Sequence, residues 1–181
     1  PGTNDPRWDV KGFGEWANFI SFVSVGFLRE LLKAGTPIPK RQDMETMAKP
    51  GQTHSGPIPA KSQLYSVSYS WLSRQHPDPH LFYLKEIVAV LNKDKAEDYD
   101  LVFMDWPALC QNLPNAARTP EHTEVFKACL RKLDAMQTHC RVKQIVLADL
   151  PPNHLLPDWT DGEGVVHPAE ARKPYFESGW C

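Results

Sequence analysis

Leu64-Tyr65-Ser66-Val67-Ser68-Tyr69-Ser70-Trp71, then Arg74-Gln75-His76-Pro77-Asp78-Pro79, then residues 81–91, then Leu101-Val102-Phe103-Met104-Asp105 form the stretch that decides the fold. In its first segment Leu64, Ser66, Ser68 and Ser70 alternate with Tyr65, Val67, Tyr69 and Trp71. Period two with β-forming residues reads as a strand. Its small serine face would let a helix or another backbone approach closely. Asp78 is placed to cap a helix with Pro79 at the first helical position. Leu81, Leu84, Ile87, Val88 and Leu91 then give that helix one apolar stripe. Residues 101–104 are continuously apolar, as expected of a central parallel strand covered on both faces. The stretch is therefore a βαβ unit, with a polar loop where its first strand ends.

Upstream, residues 1–12 read as an extended Pro- and Gly-rich arm in which Trp8 is an anchor. Residues 13–34 read as a helix: Trp16, Phe19, Ile20, Val23, Phe27, Leu28 and Leu31 recur at three- and four-residue steps. Gly35 fits its C-terminal cap and Pro37 stops it. Phe13, Phe22 and Val25 widen the stripe, so the helix is either buried on two sides or docks on a partner or a membrane surface. On the docking reading the contact residues are Trp8, Trp16, Phe19, Phe22, Val23 and Phe27. Residues 35–63 are a connection with five prolines and a helical turn at 44–48; loops this long tend to wrap or to be functional.

Downstream, Thr119-Pro120-Glu121 repeats the cap-then-proline pattern. Val125, Phe126, Cys129, Leu130, Leu133 and Met136 mark a second helix, and residues 144–148 a third strand ending at Asp149. Residues 150–178 are read as irregular. Strands alternating with helices imply an α/β fold, a small parallel sheet with right-handed crossovers between helical layers. The division expected is 1–63 as arm, helix and Pro-rich connection, and 64–181 as the α/β domain.

The 181 residues suit one domain with a real core, and 41% hydrophobic with 23% charged residues is ordinary globular composition. A net charge of −2 without a basic run leaves no electrostatic footprint for nucleic acid. No segment is a convincing membrane span, because the most apolar run, 16–32, is interrupted by Asn18, Arg29 and Glu30. Cys110, Cys129, Cys140 and Cys181 are widely spaced, which suits free thiols in a reducing intracellular compartment rather than a disulfide framework.

Ligands of open α/β sheets bind outside the carboxyl ends of the strands. That rule selects one rim: Ser70, Trp71, Arg74 and His76 after the first strand, Asp105 and Gln111 after the second, Asp149 after the third. Two neighbouring carboxylates, Asp105 and Asp149, can split acid and base roles, although each can equally cap a loop or pair with Arg74 or Arg118. His76 and His80 are four apart, but prolines intervene and no further ligand spacing follows, so no metal site is expected. Gly-rich phosphate loops, G-x-S-x-G and C-x-x-C are absent from the sequence.

Ser68-Tyr69-Ser70-Trp71, His76-Pro77-Asp78-Pro79, Val102-Phe103-Met104-Asp105, Arg118-Thr119-Pro120 and Pro39-Lys40-Arg41-Gln42-Asp43 together resemble an expanded family of dinoflagellate proteins. That family resembles Toll/interleukin-1 receptor (TIR) domains, which implies a flavodoxin-like three-layer fold. Ser178-Gly179-Trp180-Cys181 resembles the segment that opens a helix in plant-type TIR domains. In those domains the glutamate that attacks NAD follows three residues later, a position beyond Cys181. The TIR-like domain is thus expected to be cut short at its C-terminal end.

The resemblance implies first a non-catalytic module that binds protein subunits of a larger assembly in the cytoplasm or a plastid, with no cofactor. The alternative is an enzyme that binds or cleaves a nucleotide, with NAD as cofactor. A third reading has residues 13–32 holding the chain on a membrane surface.

Overall fold

The computed structural model describes residues 20–73, 75–112, 117–131 and 133–152, together with 155–156, 159–160, 166–167, 170–171 and 175. Strand β1 (Phe22–Ser24) runs directly into α1 (Val25–Ala34), followed by α2 (Arg41–Met47) and β2 (Thr53–His54). Strand β3 (Leu64–Tyr69), α3 (Phe82–Lys93) and β4 (Leu101–Phe103) form the central βαβ unit. The chain continues through the single turn α4 (Asp105–Ala108), α5 (Pro120–Leu130), α6 (Leu133–Gln137) and β5 (Val142–Leu147). Two short antiparallel pairs follow: β6 (Leu155–Leu156) with β9 (Glu170–Ala171), and β7 (Trp159–Thr160) with β8 (Val166–His167).

The main sheet has five strands in the order β2-β1-β4-β3-β5. β3 runs parallel to both β4 and β5, and β1 is antiparallel to both β4 and β2. The alternation of β3 sets the layers. Tyr65, Val67 and Tyr69 face a core shared with Phe27, Leu28 and Leu31 of α1 and Leu84, Ile87, Val88 and Leu91 of α3. On the opposite face Leu64 joins Phe22, Leu101, Phe103, Cys129, Met136 and Val142 beneath α5 and α6. This is a three-layer α/β fold with an open mixed sheet.

The N-terminal segment departs from the sequence reading. Residues 22–24 are strand, not helix, and Ser24 ends the strand by accepting from the Phe27 amide at 3.2 Å as N-cap of α1. Phe22 and Val23 go to opposite faces of the sheet and both are fully buried. A strand covered on both sides is continuously apolar, so periodicity cannot separate it from a helix. Phe22, Val23 and Phe27 are core residues rather than a partner or membrane surface; Trp8, Trp16 and Phe19 lie outside the described residues. A boundary at 63/64 would cut the sheet, because β1 is hydrogen-bonded to β4. Among the described residues no helix is long and apolar enough to cross a membrane.

Asp78 caps the central helix, but from further away than expected. The helix begins at Phe82, after Leu81 in a left-handed conformation (φ 62°). The buried Asp78 carboxylate accepts from the Leu84 amide at 2.8 Å, six residues on, satisfying a donor of the first turn. Packing between α1 and the loop from α3 to β4 is tight at Gly26, where a Cβ would stand 3.1 Å from Asp98 Cβ. Arg29 then reaches Asp98, Asn92 and the Ala96 carbonyl.

Both long helices of this layer end in the same motif. After α1, the amides of Gly35 and Thr36 turn back to the carbonyls of Leu32 and Leu31. After α3, those of Lys95 and Ala96 reach Asn92 and Leu91. The left-handed position is Gly35 (φ 66°) in the first and Lys95 (φ 57°) in the second. Only glycine occupies that region without a Cβ penalty. Lys95→Gly is therefore expected to stabilise the fold by about 0.5–1 kcal/mol in urea unfolding, after the extra entropy of an unfolded glycine; a loss of stability would refute this account of the cap.

Candidate binding cleft at the strand ends

The ends of β3 and β4 are joined by one carboxylate. Tyr69, the last residue of β3, donates its hydroxyl to Asp105 Oδ1 at 2.7 Å, and Trp71 donates Nε1 to Oδ2 at 3.0 Å. The sequence dictates this: the β3 alternation turns Tyr69 towards the α3 layer, and only Met104 separates the end of β4 from Asp105 at the start of α4. A cleft with room for about 60 Å3 opens beside the pair, lined by Val67 to Tyr69 of β3, Trp71, Phe103, Asp105, Leu133 and Gln137.

The electrostatics follow from burial. Burial pushes the Asp105 carboxyl above the usual carboxylate range. The donors Tyr69 and Trp71 and the backbone N–H groups of Trp106 and Asp105 itself work against that shift. Burial, then the neighbouring Asp105 charge, raises the Tyr69 phenol well above its ordinary value. Among the described residues no ion pair reaches Asp105; its partners are neutral donors.

The other rim residues are engaged inward. Trp71 stands edge-on to Trp106, with ring centroids 5.3 Å apart, and Trp106 meets the His76 ring at 4.9 Å. His76 Nδ1 accepts from the Asp78 amide at 2.9 Å, so the proton sits on Nε2, which donates to the Ile38 carbonyl at 3.1 Å. Trp106 Nε1 donates to the same carbonyl at 2.8 Å. Burial lowers the His76 pKa, consistent with a neutral structural imidazole. Gln111 is a buried clip: its amide nitrogen donates to the carbonyls of Asp105 (2.9 Å) and Leu109 (2.7 Å), while its backbone exchanges hydrogen bonds with the Gln42 side chain.

Ser70 is buried, with no hydrogen-bond partner for its hydroxyl among the described residues. Asp149 is exposed and does not line the cleft, so the two rim carboxylates are not brought together there. Arg118 bonds the Cys110 carbonyl and lies over the Phe126 ring, not over a rim carboxylate. Arg74 and residues 178–181 lie outside the described residues. No group of three potential metal ligands occurs among the described residues.

Comparison with protein-family models, curated proteins and solved structures gave no match to this chain. The chemistry of the cleft thus rests on its own geometry. Of the lining residues the rim rule found Trp71 and Asp105 and missed Val67, Ser68, Tyr69, Phe103, Leu133 and Gln137. The alternation of β3 marked Tyr69 as inward-facing, whereas nothing in the sequence ties α6 to the strand ends.

The raised pKa of Asp105 fixes a sign. Folding favours the protonated form, so this group's contribution is most favourable below the unfolded value of about 3.9 and is lost as pH rises through the higher folded value. Asp105→Asn removes the titration. The stability of the parent chain minus that of the variant should fall as pH increases from about 4 and then level off, in urea unfolding across the pH range. A difference that grows with pH would mean that the charged form is the one the fold stabilises.

Proposed function

We propose that the chain is a non-catalytic, TIR-like assembly module that joins a larger complex through the free edge of β5. The observation that carries this reading is the edge itself. β5 is paired with β3 along all six residues, Val142 to Leu147, and ends the sheet order on its other side. Unpaired edge amides and carbonyls are a template for another strand.

The surroundings suit such a contact. Val146 is half exposed at 50%, beside Ser68 on the sheet, and Lys143 and Gln144 are also exposed. An open groove of about 330 Å3 runs along the other face of the edge, lined by Val90 and Lys93 of α3 and by Lys143 to Ile145 of β5. Lys143 and Tyr65 both bond the Asp94 carboxylate, and the Lys143 bond is the larger cause of its lowered pKa. That cluster gives the groove a polar floor against which an extended segment could align. The resemblance to the dinoflagellate family agrees with a subunit role in an organelle complex.

Nucleotide cleavage with NAD has less support. His76 and Gln111 are bonded to the chain itself, and the cleft of about 60 Å3 is well below the roughly 300–1,000 Å3 typical of sites for larger ligands. The test is site-specific photo-crosslinking in native extract, with the cross-linker at Lys143 or Val146 and, as control, at Lys85 on the exposed side of α3. The expected result is one discrete adduct from the β5 positions only, lost in Val146→Asp, whose stability should change by no more than about 0.5 kcal/mol. No adduct, or equal adducts from Lys85, would overturn the reading.

A further inference from the structure

Lysine is a common guard of exposed sheet edges, because an ammonium laid along the edge deters another strand. The one charged residue of β5, Lys143, is not placed that way. We propose that Asp94 keeps the β5 edge open by drawing the Lys143 ammonium back over the sheet, and that release of this hold lets Lys143 close the edge. The inference rests on the reading of β5 as a docking edge and names what regulates it.

Lys143 pairs with Tyr65 of β3, and the two stand on the same face of the sheet, towards α3. From there a lysine side chain can run outward along the free edge or inward across β3. It runs inward: Nζ bonds Asp94 Oδ2 and lies 5.7 Å from the centre of the Tyr65 ring. The Tyr65 hydroxyl donates to the same oxygen and holds the carboxylate from a second side. Asp94 is itself fixed by the end of α3. It follows the helix directly, its amide bonds the Val90 carbonyl, and the left-handed Lys95 comes next.

The second long polar side chain of β5 is drawn back as well. Gln144 turns to the opposite face, where Nε2 donates to the Gln137 carbonyl of α6 at 2.9 Å. Both side chains are thus engaged with the helical layers, and neither lies along the edge. Val146 remains there, half exposed. The hold on Lys143 is a light one. The side chains of the pair are 51% and 36% exposed, and ion pairs of that kind contribute little and are screened by salt. It can be lost without unfolding the chain, which is what a reversible guard requires.

The test compares the parent chain with Asp94→Asn and with Asp94→Asn/Lys143→Ala. Asparagine keeps an acceptor for Tyr65 and removes the charge that holds the ammonium. The double variant has no lysine left to guard the edge and, losing one charge of each sign, keeps the parent's net charge. In the isolated chain labelled with 13C and 15N, nuclear Overhauser contacts from the Lys143 ε-methylene to the Tyr65 ring are expected in the parent and lost in Asp94→Asn. With a photo-cross-linker at Val146 in native extract, the adduct should fall about two- to fivefold in Asp94→Asn, the range of a half-exposed ion pair, and recover in the double variant. Lys143 contacts that are absent from the parent or unchanged in Asp94→Asn, equal adducts from all three chains, or a double variant that stays low would overturn the inference and leave the edge reading standing. No adduct from any of the three would overturn the edge reading and this inference with it.

Discussion

The in-register parallel pairing of β3 with β5 and β4 is the constraint on which the rest of this structure depends. Leu64 to Tyr69 pair with Val142 to Leu147, and Leu64 to Ser66 pair with Leu101 to Phe103. A one-residue slip would exchange the faces of β3. Tyr65, Val67 and Tyr69 would leave the α1–α3 core, and serines would take their places. Register also fixes the cleft, because it sets Tyr69, in the part of β3 that runs past the end of β4 at Phe103, beside Asp105. The fold and the candidate site thus share one determinant.

The central βαβ unit was legible in the sequence because its signals are local. Alternation gave β3, the apolar stripe gave α3, and a short apolar run gave β4. Thr119 and Pro120 start α5 as their types imply, with Thr119 accepting from the His122 amide at 3.2 Å. The edge strands were not legible. Phe22 and Val23 are buried on both faces and look helical by period, and Thr53–His54 is too short to carry any period. Asp78 was recognisable as a cap by residue type, but its distance from the helix start depends on the left-handed Leu81.

The site was half legible for a related reason. Trp71 and Asp105 follow directly on strand ends, so the rim rule finds them. His76 and Gln111 were also placed on that rim, but they turn inward to Ile38 and Gln42, partners 38 and 69 residues away in sequence. Sequence position gives the end of a strand; it does not say which polar groups the fold consumes for itself. Once those are set aside, the outer edge of β5 is the feature of the sheet that no described residue pairs with.

The edge bears most directly on what the chain does. In a parallel pair only every second amide of each strand bonds its neighbour, so among the described residues the remaining β5 amides have no partner in the sheet. Amide hydrogen exchange of the isolated chain and of the native assembly, resolved along residues 142–147, measures this. The account predicts slow exchange throughout β3, fast exchange at alternate β5 amides in the isolated chain, and protection of those same amides in the assembly. Uniform protection of β5 in the isolated chain, or no added protection in the assembly, would contradict it.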